Sequence, residues 1–218
     1  MKIKWYGHAA FRITTGKGIR IIIDPYESGA FNGALSYDKI DEEADIVLIS
    51  HDHADHNYVK NIKGKYILID KAGEDDTLGI KVEALETFHD KSSGRERGRN
   101  LIFVITADDL ILVHMGDIGH ALDGELLKTI GKVDIVLLPV GGFFTIDATE
   151  ASGMVTELAP RVIIPMHYKT DKCGFPIAPV EEFTKKQANV RIMDKAEIEI
   201  SKKTLPANPE VVVLRHAL

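Results

Sequence analysis

The sequence predicts an α/β (α+β) fold: a four-layer αββα sandwich in which two mixed β-sheets pack face to face with helices outside. Two continuous apolar runs, at 46–49 and 135–138, have the pattern of strands covered on both faces. Residues 122–130, 148–158 and 180–187 carry apolar side chains at helical spacing, each segment opened by polar or acidic residues suited to a helix start. The third observation is an internal echo. Phe11-Arg12-Ile13-Thr14, a turn and Ile21-Ile22-Ile23-Asp24 resemble Phe103-Val104-Ile105-Thr106, a turn and Ile111-Leu112-Val113-His114. Each pair is followed by an Asp-Ile-Val-Leu strand, at Asp45 and at Asp134, so two similar β-rich halves are expected to face each other.

In chain order, residues 1–8 read as an alternating strand. Residues 9–15 and 19–24 flank Thr15-Gly16-Lys17-Gly18, whose glycines suit a hairpin turn. The buried strand at 46–49 runs into a histidine-rich loop, and strands and helices alternate beyond residue 110. The tail Val211-Val212-Val213-Leu214 reads as a last strand or an interface segment, which leaves a homo-oligomer open.

Over 218 residues, 44% hydrophobic content supports one substantial core and is short of two, so a single domain spanning 1–218 is expected. Lys plus Arg number 27 against 33 Asp plus Glu, a formal charge of −6, which builds in no attraction to phosphate backbones and argues against nucleic acid as a partner. No apolar run approaches the roughly 20 residues needed to cross a bilayer. The first residues lack the apolar core and cleavage site of a secretory signal, so a cytoplasmic protein acting on a small-molecule substrate is expected. A single cysteine, Cys173, excludes an intramolecular disulfide and reads as a loop thiol without a role.

The chemistry concentrates in Ser50-His51-Asp52-His53-Ala54-Asp55-His56. Imidazoles and carboxylates packed this densely suit borderline divalent metals. In extended backbone, residues two apart point the same way, so His51 and His53 can grip one ion while Asp55 and His56, entering a predicted helix, turn toward a second. A structural zinc site would be closed by four ligands and usually contains several cysteines, which this chain cannot supply. Four further candidates each follow a strand: His8, His89, Asp117 and His167. Singly, the histidines read as ordinary core or surface residues and Asp117 as a turn or capping residue; the ordered set raises them above that.

His-x-His-x-Asp-His, a later lone His, Gly-Asp and a final His after a strand resemble, in this order and over nearly the whole chain, the metallo-β-lactamase superfamily. Gly7-His8-Ala9-Ala10-Phe11, Ile23-Asp24-Pro25, Phe88-His89, Gly116-Asp117, Leu138-Pro139-Val140-Gly141-Gly142 with Phe144-Thr145, and Pro165-Met166-His167-Tyr168 resemble its branch containing L-ascorbate-6-phosphate lactonase and uncharacterised metal-dependent hydrolases. The resemblance implies a metallo-β-lactamase fold with two divalent metal ions. His51, His53 and His89 would hold one ion and Asp55, His56 and His167 the other, with Asp117 bridging. Zinc is the first choice, and manganese, nickel or iron suit the same donors. A hydroxide shared by the ions would attack an ester-type bond, in a lactone, a phosphodiester or a related small-molecule ester. Asp55 and Asp117 are then catalytic, Asp55 accepting a proton or orienting the hydroxide. The alternative is a non-catalytic or redox (di-iron) metal-binding protein of the same fold. The resemblance associates the di-iron branch with Glu in place of the second His, and His53 argues against it.

For the substrate, the glycine-containing loop 91–99 just beyond His89 offers arginines, Arg95 among them, for forked bonding to an anion. Thr145 and Tyr168 are further candidate contacts, and His8 a candidate orienting partner for a ligand. Asp90, beside His89, adds negative charge where a phosphate-bearing substrate would gain nothing. His114, on an apolar strand, reads as a buried hydrogen-bonded histidine, His120 as lining the pocket, and His216 as part of the tail.

Overall fold

A computed structural model describes all of residues 1–218. The first sheet opens with β1 (Lys2–Gly7), β2 (Ala10–Thr14) and β3 (Arg20–Ile23), antiparallel neighbours, and continues through β4 (Ile46–Leu48) and β5 (Ile67–Ile69), parallel to β3. The second sheet begins with an antiparallel run, β6 (Gly73–Thr77), β7 (Ile80–Phe88), β8 (Arg99–Ala107) and β9 (Leu110–His114). After α1 (Gly124–Ile130), β10 (Ile135–Pro139) lies parallel to β9, and after α2 (Ala148–Leu158), β11 (Val162–Met166) lies parallel to β10. A single turn, α3 (Glu181–Thr184), precedes β12 (Val190–Ile192) of the second sheet. The chain then crosses to add β13 (Glu197–Glu199) beside β1, and returns as β14 (Glu210–Val213) between β11 and β12. The tail is thus an interior strand of the sheet.

The internal echo is structural. In each half a hairpin (β2–β3, β8–β9) is followed by a strand parallel to its second arm (β4, β10). The same carboxylate clamp starts both parallel strands: Asp45 Oδ2 accepts the Arg20 N–H and Asp134 Oδ2 the Ile111 N–H, while each aspartate N–H donates to the carbonyl of the same partner. Arg20 therefore corresponds to Ile111. This is one residue off the alignment read from sequence, because the connection from Thr106 to Ile111 is one residue shorter than that from Thr14 to Arg20.

Period-two alternation divides the first sheet. Ile3, Trp5, Ile21, Ile23, Ile46 and Leu48 face the main core between the sheets, whereas Tyr6, Ile22 and Val47 face outward into a satellite cluster. The buried residues of α1, α2 and α3 all join the main core. The outer face of the first sheet is covered by loop residues, among them Tyr26, Leu35, Tyr37, Ile40, Cys173 and Phe175. Cys173 is thus a packed core thiol. No helix is long and apolar enough to cross a membrane.

Among the helices, α2 begins in a full capping box. Asp147 accepts from the Thr149 and Glu150 N–H groups, and Glu150 accepts the Asp147 N–H in return. Asp147→Ala leaves two helix-start donors unpaired, and a stability loss of about 1 kcal/mol is expected by chemical denaturation, with the urea m-value unchanged.

Candidate metal centre

The donors stand where strands end. His8 follows β1, Asp24 follows β3, the segment 50–56 follows β4, His89 follows β7, Asp117 follows β9 and His167 follows β11. His8, Asp24 and His167 take left-handed backbone conformations, with φ of 52°, 48° and 51°. Each such residue costs of order 1 kcal/mol and persists only where its surroundings hold it. One such hold is the His167 N–H, which donates to His8 O at 3.1 Å and ties the end of a second-sheet strand to the end of a first-sheet strand.

Two glycines permit this closeness. A Cβ on Gly116 would lie 2.2 Å from Asn100 Oδ1, and one on Gly141 would lie 2.2 Å from His167 O. No α-helix follows His56, contrary to the sequence expectation. The His56 and Asn57 N–H groups both donate to His53 O, and the Tyr58 N–H is taken by Pro25 O, so the chain curls into a tight turn before a 3-10 turn at Val59–Asn61. That turn brings Asp55 and His56 back toward the strand ends.

Two groups of donors result, joined by a third, His51, His56 and Asp117, that overlaps both. One nitrogen from each of His51, His53 and His89 lies within 4.8 Å of the others, and the same holds for single donor atoms of His8, Asp55, His56 and His167. Between the groups stands Asp117, whose Oδ2 lies 3.2 Å from His89 Nε2, 3.2 Å from His56 Nε2 and 3.0 Å from His167 Nε2. Yet His51 Nε2, His56 Nε2, His167 Nε2, Asp55 Oδ1 and Asp117 Oδ1 are buried without a hydrogen-bond partner. Unpaired buried polar atoms are costly, and so many converging on one spot fit divalent cations.

Behind these atoms lies a layer that sets their orientation. Asp24 Oδ1 accepts the Ser50 N–H at 2.7 Å, and its Oδ2 meets the Ser50 hydroxyl at 2.7 Å and His56 Nδ1 at 3.0 Å. With the proton on Nδ1, His56 presents a bare Nε2. Ser50 Oγ also contacts His51 Nδ1, and His8 Nε2 contacts Asp55 Oδ2 at 3.0 Å. Asn100 Oδ1 accepts the Asp117 N–H while its amide donates to Thr87 Oγ1 and Met115 O. His114, buried, faces Ala9 O through Nε2 and accepts the Gly116 N–H at Nδ1. Asp24, Ser50 and Asn100 carry no signal in isolation. Asp24 stands within Ile23-Asp24-Pro25 and Ser50 opens the histidine-rich segment, whereas Asn100 lies in no such motif.

Electrostatics prepare the donors. Burial, reinforced by neighbouring imidazoles, lowers the pKa of His51 and His53 and takes His8 down to about 4, which favours neutral rings. Burial would raise Asp55 and Asp117, but the surrounding imidazoles outweigh it and hold both carboxyls well below the usual range. Burial opposes charge on His56 too, yet Asp117 and Asp55 push its pKa up. The pocket therefore holds excess negative potential, which a proton on His56 relieves and a cation relieves better. Neutral imidazole and ionised carboxylate are the forms that bind metal.

A cavity of about 470 Å³ opens over His53, Asp55, His89, Asp117 and His167, and Phe31, Arg97, Phe144 and Phe175 complete much of its wall. Several sequence-predicted contacts lie elsewhere. Arg95 is exposed and donates Nε to Ser92 O. Tyr168 is buried against Trp5, with ring centroids 5.2 Å apart. Thr145 lines a neighbouring cavity with Phe143 and Asp147, and His120 another, with Thr87 and Phe88. His216 pairs with Asp171. Asp90 does not present free charge to a substrate: its carboxylate accepts the N–H groups of Ser92, Gly94, Glu96 and Arg97 and the Ser92 hydroxyl. Burial would raise its pKa, but these bonds hold it well below the ordinary value.

A family model described as a β-lactamase superfamily domain matches residues 2–167. A UPF0173 metal-dependent hydrolase from Thermococcus onnurineus is 35% identical to the chain, across 93% of the chain and 96% of the relative. Among solved structures, a metallo-β-lactamase superfamily protein from Thermotoga maritima is 33% identical with a TM-score of 0.82, covering 98% of this chain and 97% of that one. A metallo hydrolase from Ignicoccus hospitalis shares the fold at 23% identity and a TM-score of 0.67, covering 92% and 99%.

Proposed function

The chain belongs to the β-lactamase superfamily and is a metal-dependent hydrolase, and from that premise we propose that it cleaves an ester-type bond, in a lactone, a phosphodiester or a related small-molecule ester, at a pair of divalent cations. The observation that carries the pair is the division of the donors into two groups with one carboxylate, Asp117, within reach of both. His51, His53 and His89 would hold one cation, Asp55, His56 and His167 the other, and Asp117 would serve both. Five imidazoles with two carboxylates favour zinc, and manganese, nickel or iron suit the same set.

A pair of cations held by these residues would supply the Lewis acidity that lowers the pKa of a water and polarises the bond under attack. The protein's own groups do the rest. Asp55 Oδ1, partnerless in a side chain that lines the cavity, accepts a hydrogen bond from the attacking water and orients it. His8 steadies Asp55 through Oδ2, and Asp24 keeps the His56 Nε2 lone pair turned inward.

Protein purified without chelator is expected to carry near two metals per chain by elemental analysis and to hydrolyse bis-p-nitrophenyl phosphate or a member of a lactone panel. One metal or fewer per chain after reconstitution would sink the two-cation reading. Two metals with no turnover of any ester would sink the substrate class.

A further inference from the structure

The loop after His89 is built around one carboxylate. Asp90 gathers four backbone N–H groups of residues 92–97, and the last of them, Arg97 N at 2.8 Å, fixes where that arginine leaves the loop. The loop's other cations are engaged elsewhere: Lys91 pairs with Glu150, Arg99 with Glu86, and Arg95 turns back to Ser92 O. Arg97 alone reaches the cavity over the donor cluster, where it is the one Lys or Arg on the wall. No carboxylate of the protein pairs with it, and its Cζ rests 5.7 Å from the centroid of the Phe144 ring.

From Phe144 the wall continues as a chain of rings. Phe175 stands edge-on to Phe144 at 5.6 Å and to Phe31 at 5.3 Å. Phe31 is 50% exposed and has φ of 55°, so a large apolar ring is held at the cavity mouth by backbone in a region that costs free energy. Phe175 belongs to the satellite cluster and Phe144 packs against it, whereas Phe31 and Arg97 lie outside both core clusters. A partnerless guanidinium beside an aromatic wall fits a ligand with the opposite of each, an oxyanion and an apolar body.

We propose that the cavity selects substrates bearing an aromatic or similarly bulky apolar body and a second, non-reacting oxyanion. The anion is forked by Arg97 and the body lies against Phe31, Phe144 and Phe175, which sets the scissile bond over the His and Asp cluster. This substrate class rests on the hydrolase reading of that cluster. Carboxylate and phosphate share the geometry that the guanidinium fork matches.

Calorimetric titration of the metal-loaded protein with 2-benzylsuccinate, 4-phenylbutanoate and succinate tests it without turnover. The first probe has a ring and two carboxylates; the second lacks one carboxylate and the third lacks the ring. Benzylsuccinate is expected to bind about tenfold to a hundredfold more tightly than 4-phenylbutanoate, the range of a hydrogen bond to a charged group. Arg97→Met should erase that advantage and leave 4-phenylbutanoate unchanged, and Arg97→Lys should restore part of it. Phe31→Gly, which suits the left-handed backbone and removes only the ring, should narrow the gap between benzylsuccinate and succinate. An analogue with phosphonate in place of one carboxylate identifies the preferred anion by which form loses more in Arg97→Met.

Equal affinity for benzylsuccinate and 4-phenylbutanoate in the unaltered protein, or equal loss of all three probes in Arg97→Met, overturns the proposal. An ester panel run in parallel separates the two readings. Hydrolysis without discrimination among the probes overturns this selectivity alone, whereas discrimination without hydrolysis of any ester overturns the ester-bond reading and leaves the binding site standing.

Discussion

Asp117→Ala is expected to remove metal and hydrolysis together. Its carboxylate is buried within 3.2 Å of nitrogens from both donor groups, so no other side chain can take its place. Without it, the imidazoles that it faces lose the charge that draws a cation among them. Taking one partner from a buried charged cluster costs about 3–5 kcal/mol, which corresponds to about two to four orders of magnitude in rate or affinity. Elemental analysis should fall below two metals per chain, and kcat on whichever ester the protein accepts should fall with it. The backbone is expected to stay in place, because the Asn100 bond to the residue 117 N–H does not involve the deleted side chain. A variant that keeps both metals and its rate would contradict the shared role of Asp117.

Asp24→Asn tests the layer behind the donors, and the effect follows from one proton. The aspartate offers two acceptor oxygens, one to the Ser50 N–H and the other to the Ser50 hydroxyl and His56 Nδ1. Asparagine keeps the shape but replaces one acceptor by an N–H donor. If its oxygen stays on the Ser50 N–H, its amide hydrogens meet His56 Nδ1, and the imidazole can accept them only by moving its own proton to Nε2. That is the atom aimed at the metal pocket. Metal affinity should fall by about 10–100-fold, as for other outer-layer partners of ligating histidines. Stability of the metal-free protein should fall by about 1–3 kcal/mol from the mispaired buried groups. Thermal unfolding with and without chelator separates the two, since lost affinity shrinks the metal-dependent rise in Tm. Ser50→Ala leaves the Asp24–His56 contact intact but takes the hydroxyl from His51 Nδ1, so it should lower stability and shrink that rise by less than Asp24→Asn does.

Much of the fold is legible because its signals are local. The apolar runs at 46–49 and 135–138 coincide with β4 and β10 to within a residue, and the hairpin and the helical segments at 122–130 and 148–158 appear within a few residues of their expected bounds. The donors are legible too, since strand ends rich in His and Asp are conspicuous in any order of folding. What escaped notice depended on partners far apart in sequence. Asp24 acts on His56, Asn100 on Asp117, and Phe31 meets Phe175 only after the first sheet has gathered its covering loops. That covering is itself a tertiary outcome, because Tyr26, Leu35 and Tyr37 lack helical spacing yet seal a sheet face that a helix was expected to fill.

Arg95 and Arg97 mark the boundary most sharply. Composition alone places arginines in the loop after His89, and nothing in their spacing tells which one enters the cavity. The choice is made by the curl of backbone N–H groups around Asp90, which turns Arg95 back on the loop and sends Arg97 inward. By itself the sequence determined the two-sheet pattern and the inventory of donors, because periodicity and residue chemistry are properties of short segments. Tertiary structure decided which donors share a cavity, which proton each imidazole keeps and which cation faces the substrate, because those depend on distances that exist only once both sheets have closed on each other.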